Sequence, residues 1–461
     1  MNPPARRLTP QDRAANGRSV RAALPRSTLG TLELPPDRDP LAILIGQDAS
    51  RVPELVPIRY GRMLASAFAF FRGAAAVMAR DLAGHAATGL RTQLCGDAHL
   101  LNFGGFGSPE RDLVFDLNDF DETLAGPFEW DVKRFAASLE IGGRDRGFDD
   151  TERKDVVLAG IRAYREAMRE FSRLGDLDVW YARLDAAEML NELKLEHDRK
   201  LTGTLEQVVQ RARRNDGRRA LATLTRRDSG QPRFIVEPPL LVPMSELPPA
   251  VASVVESSVD EVMGRYRASL APDRRVLLDR FARIDLARKV VGIGSVGTQC
   301  WALLLSGRDA DDPLFLQVKE AERSVLGPGG PANQGRRVVE GQRLLQASSD
   351  IFLGWARASN VDGGPRDFYV RQLRDWKVSL DIETIIPKGM AYYARACGWT
   401  LARAHARAGD RIAIAAYAGA SDRFDRAVAE FASAYADVND QDHRALQRAV
   451  AAGDVNAIEG V

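Results

Sequence analysis

The stretch Leu94-Cys95-Gly96-Asp97-Ala98-His99-Leu100-Leu101-Asn102-Phe103, followed by Leu113-Val114-Phe115-Asp116-Leu117-Asn118-Asp119-Phe120-Asp121-Glu122, decides how this chain is read. It sets Asp97, Asp116, Asp119 and Asp121 among short apolar runs. Carboxylates are costly to bury unless a cation or a metal meets them, so acids beside core-forming residues point to a cation-handling site. The runs Leu94-Cys95 and Leu113 to Phe115 are too short for helices and are flanked by glycine. They are expected to form a loop followed by a strand pair.

Spacing narrows the chemistry. Asp97 and Asn102 stand in the D-x-x-x-x-N separation at which a phosphoryl-transfer loop places an acceptor-orienting aspartate and a magnesium-binding asparagine. Asp116 closes the run Val114-Phe115 and is the expected second magnesium ligand beside Asn102, with Asp119 and Asp121 as candidates to share that task. His99 reads either as a metal ligand or as a hydrogen-bonded structural residue. Asp131 falls in the first turn of a helix expected from about Glu129, where it either stabilises the helix dipole or braces the Asp97 loop.

A second constellation lies far downstream, at Gly292-Ile293-Gly294-Ser295-Val296-Gly297. G-x-G-x-x-G serves dinucleotides between a strand and a helix, or covers phosphates between two strands. Thr298 to Leu305 is apolar and ends at Ser306-Gly307, which favours two strands, with Gly292, Gly294 and Gly297 in a phosphate-covering flap; a plain tight hairpin uses the same residues. Lys319 ends the apolar run Leu314 to Val318 and needs an anion if it is buried. A helix from about Arg337 to Ser348 offers Glu340, matching the strand lysine that contacts phosphates and pairs with a helix glutamate. On a solvent-facing edge, Glu320 or Glu322 would be the neighbour of Lys319 instead. Phe368 to Leu373 reads as a further strand, with Val370 and Leu373 placed to offer backbone hydrogen bonds to adenine.

The remainder is mostly helical. Met63, Ala67, Phe70, Phe71, Ala76, Met78 and Leu82 mark helix between Pro53 and Leu90; Val132, Phe135, Ala136 and Leu139 mark the helix after Gly126-Pro127; Val157, Ile161, Tyr164, Met168 and Phe171 mark the next. Helix is also expected over about Met244 to Arg283 and from Ile385 to Ile458. Arg211, Arg213, Arg214, Arg218, Arg219, Arg226 and Arg227 form a basic run, read as a solvated face or an anion-binding patch.

Composition sets bounds. The chain of 461 residues carries 64 basic and 63 acidic side chains, so net charge recommends neither nucleic acid nor an anionic membrane as partner. Only eight of the basic residues are lysines, so a lysine inside an apolar run stands out. Three distant cysteines argue for a reducing compartment, and no stretch reads as a signal peptide or a membrane span, so the expected location is cytoplasmic.

Gly96-Asp97-Ala98-His99-Leu100-Leu101-Asn102 with Val114-Phe115-Asp116 resembles the G-D-x-H-x-x-N and h-h-D signature of aminoglycoside and choline phosphotransferases, members of the protein-kinase-like superfamily. Glu129-Trp130-Asp131 resembles their later helix-opening aspartate. Over nearly its whole length the chain is similar to the bacterial family called domain of unknown function 2252, through Pro57-Ile58-Arg59-Tyr60-Gly61-Arg62-Met63, Phe68-Ala69-Phe70-Phe71-Arg72-Gly73 and Cys95-Gly96-Asp97-Ala98-His99. Two departures stand out: Cys95 occupies a position that is usually His, and the catalytic loop precedes the Gly-rich flap.

The expectation is therefore an α+β, protein-kinase-like two-lobed fold in circularly permuted order. It divides into an N-terminal arm (1–50, partly disordered), a helical lobe with the catalytic and metal loop (51–284), a small antiparallel sheet lobe (285–375) and C-terminal helices completing the helical lobe (376–461). ATP and magnesium are the expected cofactors, and a small-molecule hydroxyl or amine the acceptor, since about a dozen residues between Asp116 and Trp130 leave little room for a long activation segment. The alternatives are a non-catalytic nucleotide sensor and a metal-dependent hydrolase built on Asp97, His99 and Asp116.

Overall fold

A computed structural model describes residues 8–195, 198–359, 364–373, 375–379 and 381–461. The largest core is helical. Phe128–Asp145 runs through it and fully buries Val132, Phe135, Ala136 and Leu139, the face that their spacing predicts. Asp150–Phe171 opens on a capping box between Asp149 and Glu152 and sinks Val157, Ile161, Tyr164, Met168 and Phe171 into the same core. It packs along Pro387–Ala408 so closely that a Cβ on Gly398 would lie 2.1 Å from the Gly160 carbonyl oxygen. Arg423–Ala452 completes this body against Phe128–Asp145.

Residues 8–50 are not a loose arm; residues 1–7 of that expected segment lie outside the described residues. Pro10–Ala23 starts on a Thr9/Asp12 capping box and lies on the helix Arg411–Ala418, where Arg13 Nε pairs with Asp410 at 2.9 Å. Arg38 then forks between Asp81 at 2.7 Å and Asp442 at 2.6 Å, fastening the segment to two helices. The apolar content is too low for a helix of its own, and these polar ties to distant elements supply what the local sequence lacks.

The second body is a six-stranded antiparallel sheet in the order Gly354–Ser359, Pro365–Gln372, Pro313–Glu320, Cys300–Ser306, Ala282–Lys289, Leu241–Pro243. Three consecutive strands, Ala282–Lys289, Cys300–Ser306 and Pro313–Glu320, are its centre. Strand alternation sends Trp301, Leu303 and Leu305 to one face, under the helix Pro249–Ser269, and Ala302 and Leu304 to the other. The sheet also draws on residues ahead of 285, since Leu241–Pro243, Pro249–Ser269 and the hairpin strand Gln231–Phe234 all pack on it.

A small four-stranded sheet joins the two bodies. Its centre is the hairpin Phe103–Gly107 and Leu113–Leu117, flanked by Val378–Ser379 and Leu184–Asp185. Inside the hairpin Asp116 is buried and bonded to the Arg403 guanidinium, while also accepting from the Leu117 and Ala347 N–H groups at 2.8 and 2.9 Å. Arg403 donates a further bond to the Leu345 carbonyl at 2.7 Å. Removing one partner of such a pair strands a buried charge. Arg403→Met is expected to lower unfolding stability by roughly 3 to 5 kcal/mol, read from urea denaturation with an unchanged m-value.

Candidate functional site

Two short strands, Arg91–Leu94 and Leu124–Pro127, pair with Leu94 opposite Leu124 and so draw the ends of the acidic stretch together. Gly96 sits at φ +90, and a Cβ there would be 2.3 Å from the Glu122 carbonyl oxygen. Only glycine serves at that crossing. Asp131, buried in the first turn of Phe128–Asp145, accepts from the Cys95 and Gly96 N–H groups at 2.8 and 3.0 Å, with His405 Nε2 3.2 Å from the same carboxylate. It braces the Asp97 loop.

That loop presents Asp97 to a cleft. Arg134 Nε donates to Asp97 Oδ1 at 2.9 Å, and its Nη2 donates to the Phe71 carbonyl at 2.7 Å. Burial pushes the Asp97 carboxyl above its ordinary range, opposed by Arg134. His99 Nδ1 accepts from the Leu101 N–H at 3.2 Å, which leaves the ring proton on Nε2, 3.8 Å from Asp97 Oδ2. Burial, with Arg72 and Arg134 nearby, holds His99 well below its usual range and neutral. Asn102 spends its amide nitrogen on the Asp97 carbonyl at 2.7 Å, so what it can offer a ligand is its oxygen.

The downstream half closes over these residues. Val318 packs under Pro249–Ser269, so Lys319 leaves its strand on the opposite face, buried and directed at the acidic stretch. Its ammonium donates to the Asp121 carboxylate and to Ser295 Oγ at 2.6 Å, while the Tyr369 hydroxyl donates to Asp121 Oδ1 at 2.8 Å. Burial opposes charge on Lys319, but Asp121 outweighs it, so the ammonium titrates above its normal range and the Asp121 carboxyl below. Asp119 is pushed up by burial and by Asp121 beside it. The loop between Ala282–Lys289 and Cys300–Ser306 is pinned by Arg51, which donates to the Val296 carbonyl and to the Gly294 carbonyl at 3.1 Å.

Asp97, His99, Asn102, Asp119, Asp121, Glu122, Gly292, Gly294, Ser295 and Lys319 thus share one polar cleft of about 150 Å³. Gly297 does not line it: at φ +92 it turns the loop against Arg51, and its carbonyl accepts from the Val52 N–H at 2.8 Å. Four other expectations are corrected. Asp116 is consumed by Arg403 inside the hairpin and cannot reach a cation in the cleft. Glu340 lies exposed on Gln334–Leu345 and pairs with Arg336 at 2.7 Å, away from Lys319. The buried residue which that helix turns toward the site is Arg337, donating to the carbonyls of Asp121, Thr123 and Glu322 at 2.6 to 2.8 Å. Val370 is buried in a strand with neighbours on both sides, and the Leu373 N–H is spent on the Phe315 carbonyl at 2.9 Å, so neither is open to adenine.

Sequence reasoning passed over Arg51, Arg134, Arg337 and Tyr369, whose roles depend on contacts between distant elements and leave no local pattern. All three cysteines are buried and free, and no helix among the described residues is long and apolar enough to cross a membrane.

An α+β protein with a polar cleft between a sheet and a helical body is the class these features define. The chain belongs to the family of uncharacterized proteins conserved in bacteria, DUF2252, whose model matches residues 51–449. No curated protein and no solved structure matches it.

Burial pushes the Glu122 carboxyl from 4.5 up to about 7, against one bond from the Val325 N–H at 2.7 Å. The folded state therefore binds the proton more tightly, so this group's contribution is full below pH 4.5 and is lost as pH rises through about 7. Glu122→Gln is expected to flatten the fall in stability across that window, measured by urea denaturation at several pH values.

Proposed function

We propose that this chain is a magnesium-dependent phosphotransferase of the protein-kinase-like kind, with its lobes in permuted order, moving the γ-phosphoryl group of ATP to a hydroxyl or amine of a small molecule. One observation carries the reading: Lys319 and its glycine loop meet the Asp97–Asn102 loop in one cleft, through a lysine–aspartate bond between residues 198 apart. A lysine, a loop of backbone groups, a catalytic carboxylate and oxygen donors for a cation are the parts that phosphoryl transfer needs.

Among the described residues no group of three or more His, Cys, Asp or Glu side chains stands ready to hold a metal by itself. That fits magnesium, which takes one or two carboxylates and completes its shell with water and phosphate oxygens. Asn102 and Asp119 are the residues that would hold it, and the ion would neutralise charge on the phosphates. The metal-dependent hydrolase on Asp97, His99 and Asp116 loses its third ligand to Arg403.

An incoming phosphate competes with Asp121 for the Lys319 ammonium, and release of Asp121 adds a carboxylate to the oxygen set beside Asp119. Asp97 then takes the proton of the acceptor as its oxygen or nitrogen bonds to the γ-phosphorus and the bond from that phosphorus to the β-bridging oxygen breaks, leaving ADP. A base raised by burial suits this task. Leu124–Pro127 runs directly into the helix at Phe128, with no long activation segment between them, which favours a small acceptor.

Magnesium-ATP at millimolar concentration is expected to raise the melting temperature by a few degrees, since ligand at about 100 times Kd adds ~2.7 kcal/mol; no shift would refute the reading. Asp97→Asn is expected to keep nucleotide binding and lose roughly 10²- to 10⁴-fold in transfer rate, whereas a nucleotide sensor would keep its full function.

A further inference from the structure

Arg323 lines the cleft as an exposed side chain, and the arginines around the cleft that are shielded from water divide into two kinds. Arg51, Arg134 and Arg337 each direct terminal guanidinium nitrogens at carbonyls of the loops they fix, and Arg134 Nε at Asp97, although Arg51 Nε is buried without an acceptor. Arg72, in the last turn of Ala67–Gly73, also lines the cleft, yet no described residue bonds its guanidinium, and its Nε is buried without an acceptor. The charges acting on it are Asp97, already bonded to Arg134, and Arg62. Holding the Arg72 Nε out of water without a partner is unfavourable, and the planar fork of a guanidinium suits the two oxygens of a carboxylate or phosphate.

We propose that Arg72 binds the anionic group of an acidic, hydroxylated acceptor, a hydroxy acid or sugar acid, and so holds the acceptor hydroxyl against Asp97. This rests on the phosphotransferase reading. Placement favours the acceptor over the nucleotide as the source of the oxyanion: the cation donors, Lys319 and the glycine loop serve the nucleotide phosphates, whereas Arg72 acts on Asp97, the group that takes the acceptor's proton. A bracing role would have placed its terminal nitrogens on carbonyls, as in Arg51.

The test uses the full chain as wild type, Arg72→Gln and Arg72→Lys, with two measurements. Calorimetry with magnesium and the non-hydrolysable adenylyl imidodiphosphate reads the nucleotide site. Transfer from ATP, together with direct calorimetric binding, is read on acid and neutral pairs: glycerate against glycerol, and gluconate against glucose. The acids are expected to be the better acceptors, with Arg72→Gln raising their KM by roughly tenfold or more, Arg72→Lys restoring part of the loss, and nucleotide affinity moving less than about threefold. Equal preference for the neutral compounds, acids unaffected by Arg72→Gln, or wild type that neither binds nor uses any acid would each overturn the proposal. Roughly tenfold weaker nucleotide binding in Arg72→Gln would assign the arginine to the nucleotide phosphates and overturn it as well. Wild type that fails to bind the nucleotide sinks the phosphotransferase reading alone, and the oxyanion site then stands or falls on whether acid binding is lost in Arg72→Gln.

Discussion

The ion pair between Lys319 and Asp121 is the constraint on which the cleft depends. A buried lysine costs several kcal/mol to desolvate and the half-buried carboxylate facing it less, and only close pairing with further hydrogen bonds offsets that. Here Tyr369 and Ser295 supply those bonds. Such a pair contributes little net stability, but it is selective: any slip of Pro313–Glu320 against the acidic stretch leaves the buried Lys319 ammonium unpaired. The position of the sheet over the Asp97 loop follows from that penalty, and so does the position of the loop between Lys289 and Cys300, which is tied to the same ammonium through Ser295.

Around the pair, the backbone of the acidic stretch is held by side chains from elements remote in sequence. Asp131 takes two N–H groups at Cys95 and Gly96, Arg337 takes carbonyls at Asp121 and Thr123, and Arg403 holds Asp116 in the hairpin. Arginine suits cross-ties of this kind because its five donors can reach several carbonyls from a fixed plane. The ties from Asp131 and Arg337 satisfy backbone groups that an irregular buried loop would otherwise leave unpaired, whereas Arg403 neutralises a side-chain carboxylate. The contrast gives Arg72 its meaning: Arg323 at the cleft is exposed to water, but Arg72 is half-buried and, among the described residues, fixes no loop.

What the sequence disclosed and what it hid follow from the range of the interactions. Helical faces such as Val132 to Leu139, and the strands Cys300–Ser306 and Pro313–Glu320, are local periodicities and were legible. So were Asp97, Asn102 and Lys319, whose chemistry is at odds with their apolar neighbours. Glu340 misled because its helix is phased by Val338 and Val339, and a residue two positions beyond Val338 points away from what Val338 packs on. Asp116 misled because the strand continues through Leu117, so the acids that reach the cleft come after its end, at Asp119 and Asp121. Val370 was taken for an open strand because Gly354-Trp355-Ala356-Arg357-Ala358-Ser359, with small and charged residues in place of branched apolar ones, gives little sign of the strand that covers it.

The unusual order of the two halves has a structural counterpart in how the chain enters and leaves the sheet. Leu184–Asp185, before the excursion, pairs with Leu113–Leu117; Val378–Ser379, after it, pairs with Phe103–Gly107. The hairpin that continues the Asp97–Asn102 loop is therefore flanked on one edge by the chain going out and on the other by the chain coming back. The helical body is closed without the sheet, since the Ile458 N–H bonds the Pro57 carbonyl at 2.9 Å and Arg62 Nε bonds the Val461 carbonyl at 3.0 Å. A sheet hinged at both edges of that hairpin cannot shift without loading the strands beside Asn102, so moving the sheet that carries Lys319 would also strain the loop that carries Asp97. The placement of the sheet between Leu184–Asp185 and Val378–Ser379 in the chain thus couples the two halves of the cleft mechanically as well as through the Lys319–Asp121 pair.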